Sequence, residues 1–405
     1  MCLNSSTTAH RSPTSAVSEK RSAFEVLRAF LRLGLSSFGG PIAHLGYFRQ
    51  EFVLRRRWLD EESYADIVGL CQFLPGPASS QAGFLIGLLR AGYVGALAAW
   101  IGFTLPSAIL LTFFAYGAHR LSGPLGLGLL HGLKLVAVAI VAQAVSSMAR
   151  TLCPDRQRAS IALLATLVIL FSNDSIGQIA AIVMGAVLGL RFCRASAATP
   201  TGSLVTPVSR RVGIVALLVF ILLLAAPGLG PRFALFEALY RSGALVFGGG
   251  HVVLPLLYQA FVAPGWVSGD AFLDGYGAAQ AVPGPLFAFA AYLGAIANMS
   301  PHGLAGAAIG LIAIFLPGML ILLATLPFWE TLRRRTHAQA ALRGVNAAVV
   351  GLLLAALYNQ LWTSSVHSPG DFAVALLGFV LLTVWRAPPL LVVIASAIGG
   401  IVLAL

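Results

Sequence analysis

The sequence predicts an all-α polytopic membrane protein built from two homologous repeats of opposite orientation, with discontinuous helices and re-entrant hairpins. Three observations predict it. The 405 residues are 58% apolar and 10% charged, with a mean hydropathy of +0.87, where soluble domains carry about 25% charged residues. One set of motifs occurs twice, about 210 residues apart: Arg32…Phe38-Gly39-Gly40 with Arg241…Phe247-Gly248-Gly249, and Trp58…Asp66…Gln72…Pro75-Gly76-Pro77 with Trp266…Asp274…Gln280…Pro283-Gly284-Pro285. Duplicated, interrupted apolar segments mark transporters whose half-helices enclose a site near the membrane midplane. Third, equivalent loops carry opposite charge bias, as a reversed second copy requires.

Residues 1–22 are polar, rich in Ser and Thr, without the apolar core of a cleavable signal, and are expected to form a disordered cytoplasmic tail. The first repeat is expected over 23–192. Residues 193–231 hold a polar linker and an extra apolar segment, Val212–Gly230, whose single crossing reverses the orientation of the second repeat. That repeat fills 232–405. Gly92–Gly117, Leu125–Met148, Gly303–Pro327 and Gly344–Leu361 reach spanning length with almost no charge. Ala159–Phe171 and Ile176–Leu190 are about 13 and 15 residues, below the roughly 17 that cross upright; they read as a hairpin or half-helices, as do Glu62–Leu74 and Ala78–Leu89 around Pro-Gly-Pro.

The loop charges alternate three times. Arg49, Arg55, Arg56 and Arg57 crowd the first copy's loop, whereas Gln259–Trp266 has no cation; Gly117–Gly126 has only Arg120, against Arg333, Arg334, Arg335 and Arg343; Arg150–Arg158 has three arginines, Asn359–Gly370 none. Short basic loops stay cytoplasmic, which places the N-terminus inside and the C-terminus outside. The net charge of +12 is therefore read as loop arginine rather than as a nucleic-acid surface. Cys2, Cys71, Cys153 and Cys193 have no metal-type spacing. No metal or cofactor is expected, and no flavin, nicotinamide or haem motif supports an enzyme.

The breaks nominate the candidate site residues. Ser37, Phe38, Gly39 and Gly40, with Gly248 and Gly249, would expose free N–H groups at a helix start, an anion site; tight packing of small residues is the alternative. Pro75, Gly76 and Pro77, with Pro283, Gly284 and Pro285, stop one helix and start another. Ser79 and Ser80 follow the first break, whereas Phe287 and Ala288 follow the second, so the polar wall is expected mainly from the first repeat. Gln72 and Gln280 are a duplicated amide pair. Arg32, Arg241 and Lys134 are charges within apolar segments, costly unless functional; for the arginines the alternative is snorkelling to the interface. Asp66, Asp274, His44 and His251 are candidates for carrying protons. The aspartates could instead pair with the arginines or cap helices.

Phe38-Gly39-Gly40-Pro41, Arg56-Arg57-Trp58-Leu59 and Gln72-Phe-Leu-Pro-Gly-Pro77, repeated once over nearly the whole chain, resemble the chromate ion transporter family in its long, duplicated form. The resemblance implies a multi-pass protein of the bacterial inner membrane that exports chromate, with sulfate as a competing analogue, and leaves room for a homo-oligomer in the lipid bilayer. Gly250-His251 stands where the first copy has Pro41-Ile42, so the two half-sites need not be equal. A sulfate or other oxyanion transporter, inward ones included, and an anion channel are the alternatives.

Overall fold

The computed structural model describes residues 22–118, 123–172, 175–193, 207–225, 230, 233–247 and 249–405, and among these no strand forms. The first repeat comprises α1 (Ala23–Ser36), α2 (Gly40–Phe48), α3 (Glu61–Phe73), α4 (Ala78–Gly117), α5 (Gly123–Leu152), α6 (Arg156–Ser172) and α7 (Ser175–Phe192). A single helix, α8 (Arg210–Ala225), intervenes. The second repeat comprises α9 (Ala234–Ala244), α10 (Val253–Phe261), α11 (Gly269–Ala281), α12 (Phe289–Ile296), α13 (Gly303–Thr325), the short α14 (Trp329–Leu332), α15 (Thr336–Ala356), the one-turn α16 (Thr363–Ser365), α17 (Pro369–Thr383) and α18 (Pro389–Ala404). Helix for helix the order repeats, with α12 and α13 together answering α4.

Each repeat begins with two helical hairpins. In α1, Val26, Ala29, Phe30 and Leu33 recur at helical spacing and are buried. The helix ends at Ser36 because Gly39 and Gly40 take φ of +102° and +78°, a region only glycine enters cheaply. The chain folds back as α2, which continues through a π-helical turn, Arg49–Arg55. The Phe30 ring then meets Phe48 at 5.4 Å and Phe52 at 4.8 Å. The second hairpin starts at α3, where the Asp60 carboxylate accepts from the Ser63 amide at 2.7 Å. It turns at Pro75-Gly76-Pro77 and returns through residues 78–90.

α4 is itself bent double. Gly92 adopts φ 66° and ψ −159°, so residues 78–90 and 93–117 lie antiparallel. Gly87 and Gly95 approach so closely that a Cβ on either would overlap the other's carbonyl oxygen. Gly294 and Gly306 repeat the contact in the second copy. At the hairpin bases, Arg56 and Arg90 flank the Trp58 ring at 5.2 and 4.9 Å, and both guanidinium groups reach Glu25 at 3.2 Å. The Arg-Arg-Trp-Leu stretch thus staples α1, the loop and the returning helix together.

The repeats are inverted in the structure. α4 and α13 are equivalent, yet Trp100 stacks edge-on against Phe315 at 5.9 Å, while the Tyr116 hydroxyl lies 3.0 Å from where a Cβ of Gly303 would stand. One helix therefore ends where its counterpart begins. The repeats are also intertwined: α5 packs on α17 and α18 of the second, and α15 packs on α6 and α7 of the first. Small residues permit it. A Cβ on Gly132 would come within 2.6 Å of Ala397 Cα, and one on Gly344 within 2.6 Å of Gly189 Cα. α8 lies against α13 through Gly213.

α6 and α7 run 17 and 18 residues, because Arg156–Arg158 and Arg191–Phe192 continue the helices beyond their apolar centres, and the two pack against each other. The tail over 1–21 and the linker over 194–206 lie outside the described residues.

Candidate transport site

Four helix breaks meet at the centre. The Gly76 N–H donates to the Val246 carbonyl at 2.7 Å, and the Gly284 N–H donates to the Ser37 carbonyl at 2.8 Å. These are the same bond made twice: each Pro-Gly-Pro tip is tied to the Phe-Gly-Gly break of the other repeat. Gly76 and Gly284 have φ of +116° and +102°, and a Cβ would lie 2.9 Å from Gly318 Cα or 2.7 Å from Ser107 Oγ respectively. In the first copy alone, Gln81 Nε2 also donates to the Pro75 carbonyl at 2.9 Å and the Gly318 carbonyl at 2.8 Å; Phe289 holds the equivalent place.

Beside these bonds lies a cavity of ≈ 60 Å³, bounded by Gly39, Gly40, Gln143, His251, Gln280 and Gly284, with Pro389 at the start of α18. Roughly 15 Å³ of such space admits one water, so a small polyatomic ion is within its scale. Gly39 and Gly40 open α2 with no side chain capping its first amides, leaving N–H groups and the positive dipole end at the wall. Gln280 Nε2 is buried with no hydrogen bond of ordinary length, the Tyr276 hydroxyl being its polar neighbour. His251 Nδ1 lies 3.0 Å from the Tyr276 hydroxyl. The lining carries no charged side chain: two amides and an imidazole share it with Ile140, Ala279, Val282, Leu286 and Leu382.

The structure gathers some of the sequence candidates and disperses others. Gly39, Gly40, Gln280, Gly284 and His251 meet at the cavity. Gly76 joins through its cross-repeat bond, with Pro75 and Pro77 shaping that turn and Pro283 and Pro285 the other; Gly249 (φ +155°) precedes the helical turn carrying His251. Gly248 lies outside the described residues. Ser37, His44, Ser79 and Ser80 are buried but do not line the cavity. His44 Nδ1 lies 3.4 Å from Ser79 Oγ, while Ser37 Oγ, His44 Nε2 and Ser80 Oγ have no partner. The polar side chains on the wall thus come from Gln143, His251 and Gln280, two of them from the second repeat, contrary to the first-repeat bias expected. Phe38 is half-buried beside the break and Gln72 is exposed.

The charged candidates do not reach the cavity. Arg32 sits on the exposed face of α1, opposite its buried stripe. Arg241 is 43% exposed and pairs with Glu237 at 2.9 Å. Lys134 Nζ is held by Asp270 at 2.6 Å, with Asp274 at 3.8 Å. Asp66 accepts from Arg333 at 3.2 Å. Neither aspartate caps its helix; Asp60 and Ser268 do. Sequence reading missed Gln143, one amide among many polar residues of α5, and the partners Asp270 and Arg333, which come from distant segments.

Inverted copies whose broken helices cross around a polar cavity define a membrane transporter of the inverted-repeat type. The chain belongs to the chromate transporter family, whose model matches residues 24–190 and 233–401. It is 28% identical over 403 residues to the chromate transport protein of Pseudomonas aeruginosa, covering 95% of this chain and 93% of that one. It is 25% identical over 405 residues to the probable chromate transport protein of Synechococcus elongatus, covering 93% and 95%. Against the chromate transport protein of Cupriavidus metallidurans the identity is 25% over 384 residues, covering 93% and 92%. No solved structure matches the chain.

Proposed function

We propose that the protein exports chromate from the cytoplasm across the inner membrane by alternating access to the central cavity, with protons as the coupling ion. The observation that carries the reading is the cavity itself, where uncapped α2 amides and the buried Gln280 Nε2 present donors to one small space. A tetrahedral dianion is all acceptor and no donor, and this lining matches it. Neutral donors hold an anion less firmly than a buried arginine would, which favours release. Export is electrically downhill, at about 4.6 kcal/mol for a dianion per 100 mV. Sulfate, of the same shape and charge, is the second reading supported by the same donors.

Purified protein in liposomes tests this. Chromate is expected to accumulate, sulfate to compete, and an imposed pH gradient to alter the rate. Gln280→Leu should raise the half-saturating chromate concentration at least about tenfold, the worth of one hydrogen bond to an ionised acceptor, with folding intact. Chromate flux unaffected by either sulfate or a pH gradient would remove competition and coupling from the reading. Unchanged affinity in Gln280→Leu would remove this cavity.

The loop arginines set the orientation. Residues 55–57 are assigned to the cytoplasm and residues 259–266 to the outside. An impermeant maleimide on single cysteines in intact cells should label only the second loop. Equal labelling of both would overturn the assignment.

A further inference from the structure

We propose that Asp66 with Arg333 and Asp274 with Lys134 are two latches, one at each mouth of the transport path, that hold the hairpins shut in turn. The inference rests on the alternating-access reading and names the residues that time it.

The two aspartates occupy equivalent positions. Asp66 is the sixth residue of α3 and Asp274 the sixth of α11, so each sits near the base of the hairpin whose tip carries Pro-Gly-Pro. Because the repeats are inverted, the two bases lie toward opposite faces. Each aspartate faces a cation from the other repeat, Asp66 within hydrogen-bond distance and Asp274 only across a 3.8 Å gap that leaves its Oδ1 without a hydrogen bond. Arg333, at the end of α14, donates through Nη1 to Asp66 at 3.2 Å and through Nη2 to Glu330 at 2.6 Å. Lys134, on α5, is held by Asp270 at 2.6 Å and Asp274 at 3.8 Å. The cations do not occupy equivalent positions, since Asn346 answers Lys134. The same connection, base of one hairpin to the body of the other repeat, has thus been reached with unrelated residues.

The setting suits a contact that must open. Side chains of Arg333 and Asp66 are 9% and 16% exposed, and those of Lys134 and Asp274 are 15% and 12% exposed. The closer partners, Glu330 and Asp270, are 46% and 77% exposed, so water borders each cluster, while within the buried pairs the Coulomb gain is largely offset by lost hydration. Parting the ions lets water in and restores that hydration, so the open and closed states differ little in free energy. Rings hold the first latch in register, with Phe73 of α3 edge-on to Trp329 of α14 at 5.5 Å. At the second, His131 lies one turn before Lys134 and binds Asp371 of α17 at 2.6 Å, fixing α5 against the second repeat.

The test reads which face can reach the cavity. In a background without the native cysteines, Ala279→Cys places a thiol on the cavity wall, and an impermeant maleimide is applied to right-side-out or inside-out vesicles. Asp66→Asn and Arg333→Gln should each raise labelling from the cytoplasmic face about fivefold, the shift expected from losing a partly buried pair, without raising it from outside. Asp274→Asn and Lys134→Gln should do the reverse. The exchanged pair Asp66→Arg with Arg333→Asp, made with Glu330→Gln so that the new carboxylate meets no like charge, should return labelling to the parental pattern, which guards against a variant that merely misfolds. Equal change at both faces, no change at either, or failure of the exchange to restore the pattern would overturn the proposal. Side-specific labelling in a protein that moves no chromate would keep the latches and refute the transport reading instead.

Discussion

A Gly284→Val protein is expected to reach the membrane and transport at least about 100-fold more slowly than the parent. Two costs add. Gly284 sits at φ +102°, where a residue with a side chain costs about 1–3 kcal/mol and a β-branched one lies toward the upper end. The new Cβ would also stand 2.7 Å from Ser107 Oγ and 3.2 Å from the Phe103 carbonyl oxygen, in a wall that includes main chain and cannot yield freely. The turn can relax only by moving the amide that donates to Ser37, which undoes the bond between one repeat's tip and the other's break. About 3 kcal/mol against the closed state corresponds to roughly 100-fold. Initial rates of chromate entry into proteoliposomes measure it. Gly76→Val should behave alike, since its Cβ would meet Gly318 Cα at 2.9 Å; parental rates in both would reduce the crossed bonds to incidental contacts.

Gly344→Leu should fail earlier, in assembly. Gly344 packs so tightly on α7 that a Cβ would overlap the Gly185 carbonyl oxygen and lie 2.6 Å from Gly189 Cα. Both neighbours are backbone, so a leucine can be admitted only by parting α15 from α7. Overpacking a core typically costs 1–3 kcal/mol, and more where no side chain can move aside. The expected result is a melting temperature lowered by several degrees and early cleavage by added protease. A parental melting curve would show that the helices separate without loss.

The breaks were legible in the sequence because glycine and proline act on the chain locally. Phe38-Gly39-Gly40 and Pro75-Gly76-Pro77 stop a helix whatever surrounds them, and their recurrence declared the duplication. Loop arginines declared the inversion by the same directness. Which side chains face the cavity was not legible, because that depends on helical phase and on a partner 200 residues away. Arg32 looks functional as an isolated charge, yet Val26, Ala29, Phe30 and Leu33 turn it outward. Lys134 looks like an anion ligand until the fold brings Asp270, beyond the midpoint of the chain, to 2.6 Å. Gln143 has no signal of its own; only its position beside Gly39 and Gln280 distinguishes it.

The exchange of α5, α17 and α18 between repeats has a consequence for biogenesis. α5 is complete at Leu152, but α18, which covers Gly128 and Gly132, begins only at Pro389. Ribosomes add roughly 5–20 residues per second, so the glycine face of α5 waits on the order of 12–50 seconds for its permanent neighbour. During that interval lipid tails, an insertase or α6 and α7 must cover it. The first repeat therefore leaves the ribosome as an open half, and this face of it closes only when α18 arrives.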